Sequence, residues 1–168
     1  MYISLCVCKD KDTSEIYRVM RFLPKSCVIS VMDEQAKIVK LELRLDWSEM
    51  DLFGHINNVS YFKYLQSARV QFWEVTGLAS VFRKERKGPI LASVQCDFIH
   101  PLHYPGNILI QSRLIRIGNT SFQLAHKIHS STGQLCATGN DALVMYDHVQ
   151  QVKLQVPEEL KHWLVEES

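Results

Sequence analysis

The sequence predicts an α+β fold in which one antiparallel sheet wraps around a single long helix. The first observation is the order of the elements: a strand and a long apolar helix precede a run of alternating strands. Runs of strands beside one helix indicate an α+β layer structure. The second observation is that sheet and helix each carry an apolar surface. Wrapping the sheet around the helix buries both surfaces.

Size and composition fit an ordinary globular domain. The chain has 168 residues, of which 46% are hydrophobic and 22% charged, with a net charge of +1. This length most simply forms one domain, and the charge excludes a general attraction to nucleic acid or an anionic membrane. No apolar run approaches the roughly 18 residues of a membrane span. The five cysteines lack a CxxC pair, which favours reduced thiols. We therefore predict a cytoplasmic protein without nucleic-acid or membrane partners.

Residues 1–31 fit this pattern poorly. They contain three of the five cysteines and show no sustained hydrophobic period, and the Met32-Asp33-Glu34 tripeptide could itself begin a protein. We therefore divide the chain into an N-terminal extension, 1–31, and a domain, 32–168. The extension is either an appendage, whose place in the native protein stays open, or an added strand or helix packed on the domain.

The domain begins with a strand, a polar loop and a helix. "KIVKLELRLDW" alternates apolar and charged residues, which is typical of a strand. The octapeptide "DLFGHINN", residues 51–58, follows as a loop. Apolar residues then recur at steps of three and four, which predicts a largely buried helix capped by Asn57 or Asn58 and ended by Gly77. Its predicted apolar face comprises Val59, Phe62, Leu65, Ala68, Phe72 and Val75.

Strands dominate the remainder of the chain. After a predicted loop, "SVFRKERKGP", the segment "ILASVQCDFI" places Ile90, Ala92, Val94, Cys96 and Phe98 on one face. The dipeptide Gly118-Asn119 predicts a two-residue hairpin, and Thr132-Gly133 predicts a second turn. Pro157 and the two glutamates after it open a short final helix.

The segment "LDWSEMDLFGHINNVSYFKYLQSAR" resembles hotdog-fold acyl-CoA thioesterases of the 4-hydroxybenzoyl-CoA thioesterase-like group. Their motif runs Asp-x-x-Gly into the central helix, and "FIHPLHYPGNILIQSRLIRIGNTSF" and "ATGNDALVMY" resemble their sheet. The resemblance covers about residues 36–165. It implies a hotdog fold and hydrolysis of an acyl-CoA, with coenzyme A as part of the substrate and no separate cofactor. It also implies a homodimer or homotetramer.

The resemblance makes Asp51 the catalytic carboxylate and implies that backbone N–H groups near Asn58 polarise the thioester carbonyl. Physical chemistry agrees, because a helix N-terminus offers unpaired N–H donors and a positive dipole end. Gly54 would let the substrate approach the backbone closely. Asp51 could act as nucleophile or general base. The alternative is a loop-capping aspartate, as Asn57 and Asn58 could equally be helix caps.

His55 is the residue that would suit hydratase or dehydratase chemistry, in which a histidine and a helix carboxylate share proton transfer. The predicted helix offers only Gln66 and, near its far end, Glu74. We therefore disfavour that reaction and expect a structural or substrate-orienting role for His55. A rival from another class is a non-catalytic hotdog protein that binds acyl thioesters as a sensor or subunit.

Further residues are candidates for substrate binding. Arg83 and Lys84, in the basic cluster "RKERK", could hold the phosphates of coenzyme A, although a solvated loop is the alternative. Arg113, Arg116 and Ser121 are weaker candidates for the same role. Asn57 is also a candidate. Tyr61, with Phe62 and Trp47, could line an acyl pocket or belong to an aromatic core. Glu49 is expected to be a solvated loop residue.

No metal site is predicted. His126 and His129 lie three apart on a predicted strand and so face opposite sides of a sheet. His100 and His103 lie in a proline-rich loop without further ligands. Cys96 and Cys136 lack a neighbouring base and are expected to be small buried hydrophobes.

Overall fold

A computed structural model describes residues 30–33 and 37–164. The prediction of an extension over 1–31 therefore falls mainly outside the described residues. The elements, in chain order, are β1 (Ser30–Asp33), β2 (Ile38–Arg44), a 3-10 turn (Trp47–Glu49), α1 (Asn58–Val75), α2 (Leu78–Glu85), β3 (Lys87–Phe98), β4 (Asn107–Ile117), β5 (Ser121–Ser130), β6 (Leu135–Asp147), β7 (Val152–Lys153) and α3 (Glu158–Lys161).

The strands form one antiparallel sheet in the order β1-β2-β4-β5-β6-β3, with β7 paired to β6. The curled sheet holds α1 against its inner face, so the predicted α+β class is confirmed. Strand β1 spans the predicted domain boundary and pairs with β2, with Ser30 opposite Leu41. The division at residue 31 stays a prediction.

The core lies between α1 and the sheet and has two halves. Tyr61, Tyr64 and Leu65 from the first turns of α1 belong to one cluster, and Phe72 near its end belongs to the other. Both clusters are closed by alternate residues of β4, β5 and β6, because successive side chains of a strand point to opposite faces. Helix α1 therefore begins at one end of the sheet and ends at the other.

The apolar face of α1 differs from the prediction at its start. Val59 is 58% exposed and Phe62 is 38% exposed, whereas Tyr61, Tyr64 and Leu65 are buried. The sheet lies on the side of the helix that carries these three residues. Two apolar residues at the start of α1 are thus left on the surface of the described chain.

The predicted loop before β3 is wrong, because its first half folds as α2. Gly77 has a φ of +82°, which is the left-handed conformation that glycine adopts without strain. It therefore separates α1 from α2, as the sequence predicted for the helix end. The helix continues to Glu85, and Arg86, also left-handed, ends it.

The predicted single face of β3 is also wrong. A bulge shifts the register against β6 between Leu91 and Ser93. A bulge adds one residue to one strand and so inverts the alternation of faces. Val94 and Cys96 consequently pack on the core, whereas Ile90 lies opposite Val144 on the outer face.

The turns follow the sequence closely. The β4–β5 connection spans residues 118–120, one more than predicted, and Gly118 N–H donates to the carbonyl of Ser121 at 2.7 Å. Gly133 has a φ of +84°, so the predicted second turn is confirmed. None of the helices within the described ranges is long and apolar enough to cross a membrane.

Candidate active site

The polar octapeptide folds into a tight loop between the 3-10 turn and α1. Met50 and Ile56 form an antiparallel bridge, and Asp51 N–H donates to the carbonyl of His55 at 2.7 Å. Gly54 N–H donates to the carbonyl of Asp51 at 3.2 Å. Gly54 has a φ of +78°, and a Cβ there would meet no atom within 4 Å. Backbone conformation, rather than crowding, therefore explains the glycine in this structure.

The two carboxylate oxygens of Asp51 have different surroundings. Oδ1 accepts the backbone N–H groups of Phe53 at 2.8 Å and His55 at 3.1 Å. Oδ2 has no hydrogen bond to any residue that the structure describes. The side chain is half-buried and lines a cavity. Asp51 thus caps its own loop with one oxygen, and the other oxygen is available for chemistry.

The start of α1 leaves one backbone donor unused. Asn57 is the N-cap: its Oδ1 accepts Val59 N–H at 2.9 Å, and its carbonyl accepts Ser60 N–H at 2.9 Å. Asn58 N–H, by contrast, has no acceptor among the described residues, and Asn58 lines the same cavity as Asp51. The predicted cap is therefore confirmed for Asn57, and Asn58 is the residue with a free N–H at the positive end of the helix dipole.

The cavity has a volume of about 320 Å³ and opens between the octapeptide loop, the first turn of α1 and the segment after β3. Its lining combines ionisable and apolar side chains. The lining residues are Asp51, His55, Ile56, Asn58, Tyr61, Phe98, Ile99, His100 and Pro101.

Tyr61 forms part of the apolar wall. It is 3% exposed, and its ring lies edge-on to Phe98 with 5.0 Å between centroids. Its hydroxyl oxygen accepts Leu102 N–H at 3.2 Å, which leaves the hydroxyl hydrogen without an acceptor in the described part of the chain. Burial raises the pKa of Tyr61 above its ordinary value, so the phenol is protonated at neutral pH. Phe62 and Trp47 are exposed and do not line the cavity.

Three histidines surround the loop. The His55 ring lies edge-on to that of His103, with 5.0 Å between centroids, and His103 Nδ1 lies 3.3 Å from the carbonyl oxygen of Gly54. His100 also lines the cavity, and its imidazole makes no hydrogen bond or ring contact with a described residue. The carbonyl of Cys136 accepts its backbone N–H at 3.0 Å and so holds the segment in place. Sequence reasoning weighed His100 only as a metal ligand and missed this position.

Glu49 is not a solvated loop residue, so that expectation is wrong. The side chain is half-buried, and its Oε2 accepts the Tyr64 hydroxyl at 2.6 Å and Asp46 N–H at 3.2 Å. Burial and the nearby Glu49 carboxylate raise the pKa of Tyr64. The hydrogen bond joins α1 to the turn two residues before Asp51.

None of the five candidates for binding the nucleotide phosphates lines this cavity, and Arg113 is exposed on β4. Arg83 lies on α2 and donates to both oxygens of Glu74, at 2.8 and 3.1 Å. Lys84 is exposed on the same helix. Arg116 and Ser121 are exposed beside the β4–β5 turn, at the end of the sheet that packs against the end of α1. Glu74 also lies at that far end, which agrees with the case against a hydratase.

A buried polar cluster crosses the core and was not anticipated. Asp141 Oδ2 accepts a hydrogen bond from Arg69 Nη1 at 2.5 Å and lies 3.1 Å from His126 Nε2. His126 Nδ1 lies 2.8 Å from the hydroxyl of Ser112. These residues come from α1, β4, β5 and β6. The one sequence signal for this cluster was that polar residues stand at inward-facing positions of the strands and of α1.

No metal cluster occurs in the part of the chain that the structure describes. His126 is buried against α1, whereas His129 pairs with Leu109 at the sheet's outer face, as predicted. Burial raises the pKa of the Cys96 thiol to about 11 and also raises that of Cys136. Both thiols are therefore weak nucleophiles at neutral pH.

Comparison with known proteins identifies the family to which this chain is related. The model of the thioesterase-like superfamily matches residues 45–164. The uncharacterized protein YsmA of Bacillus subtilis (strain 168) is 29% identical over 99 residues, which are 59% of this chain and 65% of that protein. The chain thus matches less than two thirds of the length of this relative.

Solved structures show the same fold. The PA2801 protein of Pseudomonas aeruginosa is 26% identical, with a TM-score of 0.67 over 73% of this chain and 94% of that one. Slr0204 of Synechocystis, a 1,4-dihydroxy-2-naphthoyl-CoA thioesterase, is 15% identical, with a TM-score of 0.65 over 74% of this chain and 93% of that one. The predicted hotdog fold is confirmed.

Proposed function

Because this chain belongs to the thioesterase-like superfamily, we propose that it hydrolyses acyl-CoA thioesters to free acid and thiol. One observation carries the proposal: Asp51 Oδ2 and Asn58 N–H, which have no hydrogen-bond partner among the described residues, belong to residues that line one cavity. A carboxylate and a main-chain donor at a helix N-terminus are the two groups that attack on a thioester carbonyl requires.

The carbonyl oxygen of the thioester would accept Asn58 N–H. As the tetrahedral intermediate forms, negative charge develops on this oxygen, and the fixed N–H and the helix dipole stabilise it. The Asn57 cap supports this role, because it satisfies Val59 N–H and orients the first turn. The side chain of Asn58 is not required for the polarisation.

Asp51 could act in either of two ways. As nucleophile, its Oδ2 would bond to the carbonyl carbon and the C–S bond would break, giving a mixed anhydride and a thiolate that takes up a proton. Water would then hydrolyse the anhydride. As general base, Oδ2 would take a proton from water while the water oxygen attacks the same carbon. The C–S bond would then break, and the departing thiolate would take up the proton that Asp51 had accepted.

The apolar wall indicates where the acyl group would lie. Ile56, Tyr61, Phe98 and Ile99 face the cavity and would contact the acyl chain, while His55 and His100 flank its polar side. The Synechocystis protein of the same fold is a 1,4-dihydroxy-2-naphthoyl-CoA thioesterase, which supports a CoA ester as the substrate. Coenzyme A itself is then the leaving group, and no separate cofactor is proposed.

Binding of the CoA phosphates by the basic cluster remains a proposal. Lys84 is the better candidate within one chain, because Arg83 already donates to both oxygens of Glu74. Lys84→Ala should raise KM for an acyl-CoA and leave KM for the matching N-acetylcysteamine thioester unchanged. An equal rise for both substrates would remove Lys84 from the proposal.

The function is tested by thiol release from a panel of acyl-CoA esters, followed with a thiol-reactive dye. We expect turnover by the wild type and a loss of about 10²-fold or more in kcat for Asp51→Asn and Asp51→Ala. Circular dichroism would confirm that both variants fold. Binding of acyl-CoA without turnover by the wild type would instead indicate a non-catalytic acyl-thioester-binding protein.

Isotope labelling separates the two roles of Asp51. In a single turnover in H₂¹⁸O, ¹⁸O in the Asp51 carboxylate, detected by mass spectrometry of the peptide that contains residue 51, would show nucleophilic attack followed by hydrolysis at the Asp51 carbonyl of the anhydride. General-base catalysis places ¹⁸O only in the product acid, as does hydrolysis of the anhydride at its acyl carbonyl. A burst of thiol release ahead of acid release identifies that second nucleophilic route.

A further inference from the structure

Glu49 is a junction between the octapeptide loop and α1. Its Oε2 receives two hydrogen bonds, from the Tyr64 hydroxyl at 2.6 Å and from Asp46 N–H at 3.2 Å. Asp46 Oδ1 in turn accepts Ser48 N–H at 2.8 Å, so the two acidic residues form a capping box at the start of the 3-10 turn. The turn is thereby fixed to a side chain of the helix.

The backbone of Glu49 also holds the far end of the loop. Its carbonyl accepts Asn57 N–H at 2.8 Å, next to the bridge between Met50 and Ile56. Both ends of the loop that carries Asp51 therefore meet at one residue. Asp51 lies two positions after that residue, within a segment closed by its own short hydrogen bonds.

The tyrosine partner is buried in the core. Tyr64 is 4% exposed and packs in the core cluster with Leu65 and Ala68. A buried hydroxyl that loses its acceptor is costly, so the Glu49–Tyr64 hydrogen bond resists any movement of the turn away from α1. On the other side, the segment after β3 also contacts the loop: Ile56 N–H donates to the carbonyl of Leu102 at 2.8 Å, and His103 Nδ1 lies 3.3 Å from the carbonyl oxygen of Gly54.

We propose that Glu49 and Tyr64 are positioning residues, which set the distance between the carboxylate of Asp51 and the free N–H of Asn58. The inference rests on the proposed hydrolysis, since it assigns these residues to the same site. Neither residue lines the cavity. They act through the loop and helix that they join.

The first test does not depend on activity. We would measure hydrogen exchange of the Asp51 and Asn57 amides by NMR in the wild type, Tyr64→Phe and Glu49→Ala. Loss of the junction should speed their exchange by about tenfold, while the Leu124 amide of the central sheet changes little. Unchanged exchange at Asp51 and Asn57 would overturn the proposal, and equal acceleration at Leu124 would indicate a general loss of stability instead.

The second test is kinetic. Tyr64→Phe and Glu49→Ala should lower kcat by about tenfold or more with KM changed less than about twofold, because misplacing a reacting group by an ångström costs rate more than binding. Glu49→Gln should recover most of the rate, since its amide oxygen can still accept both donors. Tyr146→Phe, a remote tyrosine on β6, is the matched control and should leave kcat unchanged.

These outcomes separate the two proposals. If the wild type shows no hydrolysis, the proposed function fails, and the exchange measurement still decides whether the junction holds the loop. If the wild type is active but Tyr64→Phe retains full kcat, the positioning role is refuted and the proposed function stands. A Glu49→Gln variant as slow as Glu49→Ala would also contradict the hydrogen-bonded junction.

Discussion

At the scale of single residues, the buried cluster around Asp141 shapes stability most directly. Asp141 is 1% exposed, accepts from Arg69, and its Oδ1 has no partner among the described residues. Removing one member of a buried ion pair leaves the other charge uncompensated in a medium of low polarity. The cluster therefore depends on both partners being present.

We predict that Arg69→Met lowers the free energy of unfolding by about 3–5 kcal/mol. Arg83→Met is the matched control: it breaks the exposed pair with Glu74, and such pairs contribute about 1 kcal/mol or less. Urea unfolding of both variants measures the difference. Similar losses for the two would contradict the account of the buried cluster.

The same cluster predicts a dependence of stability on acid. Burial disfavours the charged form of Asp141, but hydrogen bonds and charges from His126 and Arg69 outweigh it and hold the pKa below its ordinary value. The carboxylate thus stabilises the folded state at neutral pH, and this contribution is lost as the pH falls below ~4 through the folded-state pKa.

Urea unfolding between pH 7 and pH 3 tests this dependence, with Arg69→Met as the comparison. The wild type should lose free energy of unfolding more steeply with falling pH than the variant, in which the carboxylate has lost a charged partner. Parallel pH profiles would show that Arg69 does not set the ionisation of Asp141.

At the scale of elements, the N-cap of α1 contributes to the stability of the fold and lies beside the candidate active site. Asn57→Ala should cost about 1 kcal/mol of unfolding free energy, because Val59 N–H loses its acceptor, whereas Asn57→Asp should retain the cap. Thermal unfolding measures both changes. Equal stability of Asn57→Ala and wild type would mean that the cap contributes nothing.

Elements with strong local signals were predictable. The long helix α1, its end at Gly77 and the turn at Gly133 are set by neighbouring residues, and all three are confirmed. The bulge in β3 was not predictable, because its alternation looks regular until the register against β6 is known. Helix α2 was missed because it spans only eight residues and runs directly into the basic cluster, which favoured a loop.

The residues of the candidate site likewise include some that the sequence predicts and some that it does not. Asp51, Gly54 and Asn58 lie within eight residues that carry a recognisable motif, so their proximity was predictable. His100 reaches the cavity from a segment about 40 residues later, and Glu49 meets Tyr64 only once the turn packs on α1. These contacts depend on tertiary structure, which leaves no local pattern in the sequence.

At the scale of the whole molecule, one edge of the described sheet has no partner strand. Strand β3 pairs only with β6, so its other edge is open within residues 37–164. Ile90 and Leu91 are 36% and 39% exposed on this strand, and Val59 and Phe62 are exposed on α1. An open strand edge and exposed apolar residues favour pairing with a second copy.

We predict a homodimer that pairs through β3, which could assemble further into a tetramer. Leu91→Lys should shift the protein toward monomer by placing a charge at the edge. Val152→Lys, on β7 and 47% exposed, is the control and should leave the mass unchanged. Analytical ultracentrifugation reports the outcome, and a monomeric wild type would contradict the prediction.

The most direct measurement is a crystal structure with a non-hydrolysable acyl-CoA analogue in which a methylene separates the sulfur from the carbonyl. The account predicts the analogue's carbonyl oxygen about 2.7–3.2 Å from Asn58 N. It also predicts Asp51 Oδ2 about 3–3.5 Å from the carbonyl carbon, or from a water molecule beside it. An analogue bound with its carbonyl away from both groups would contradict the assignment of this cavity as the active site.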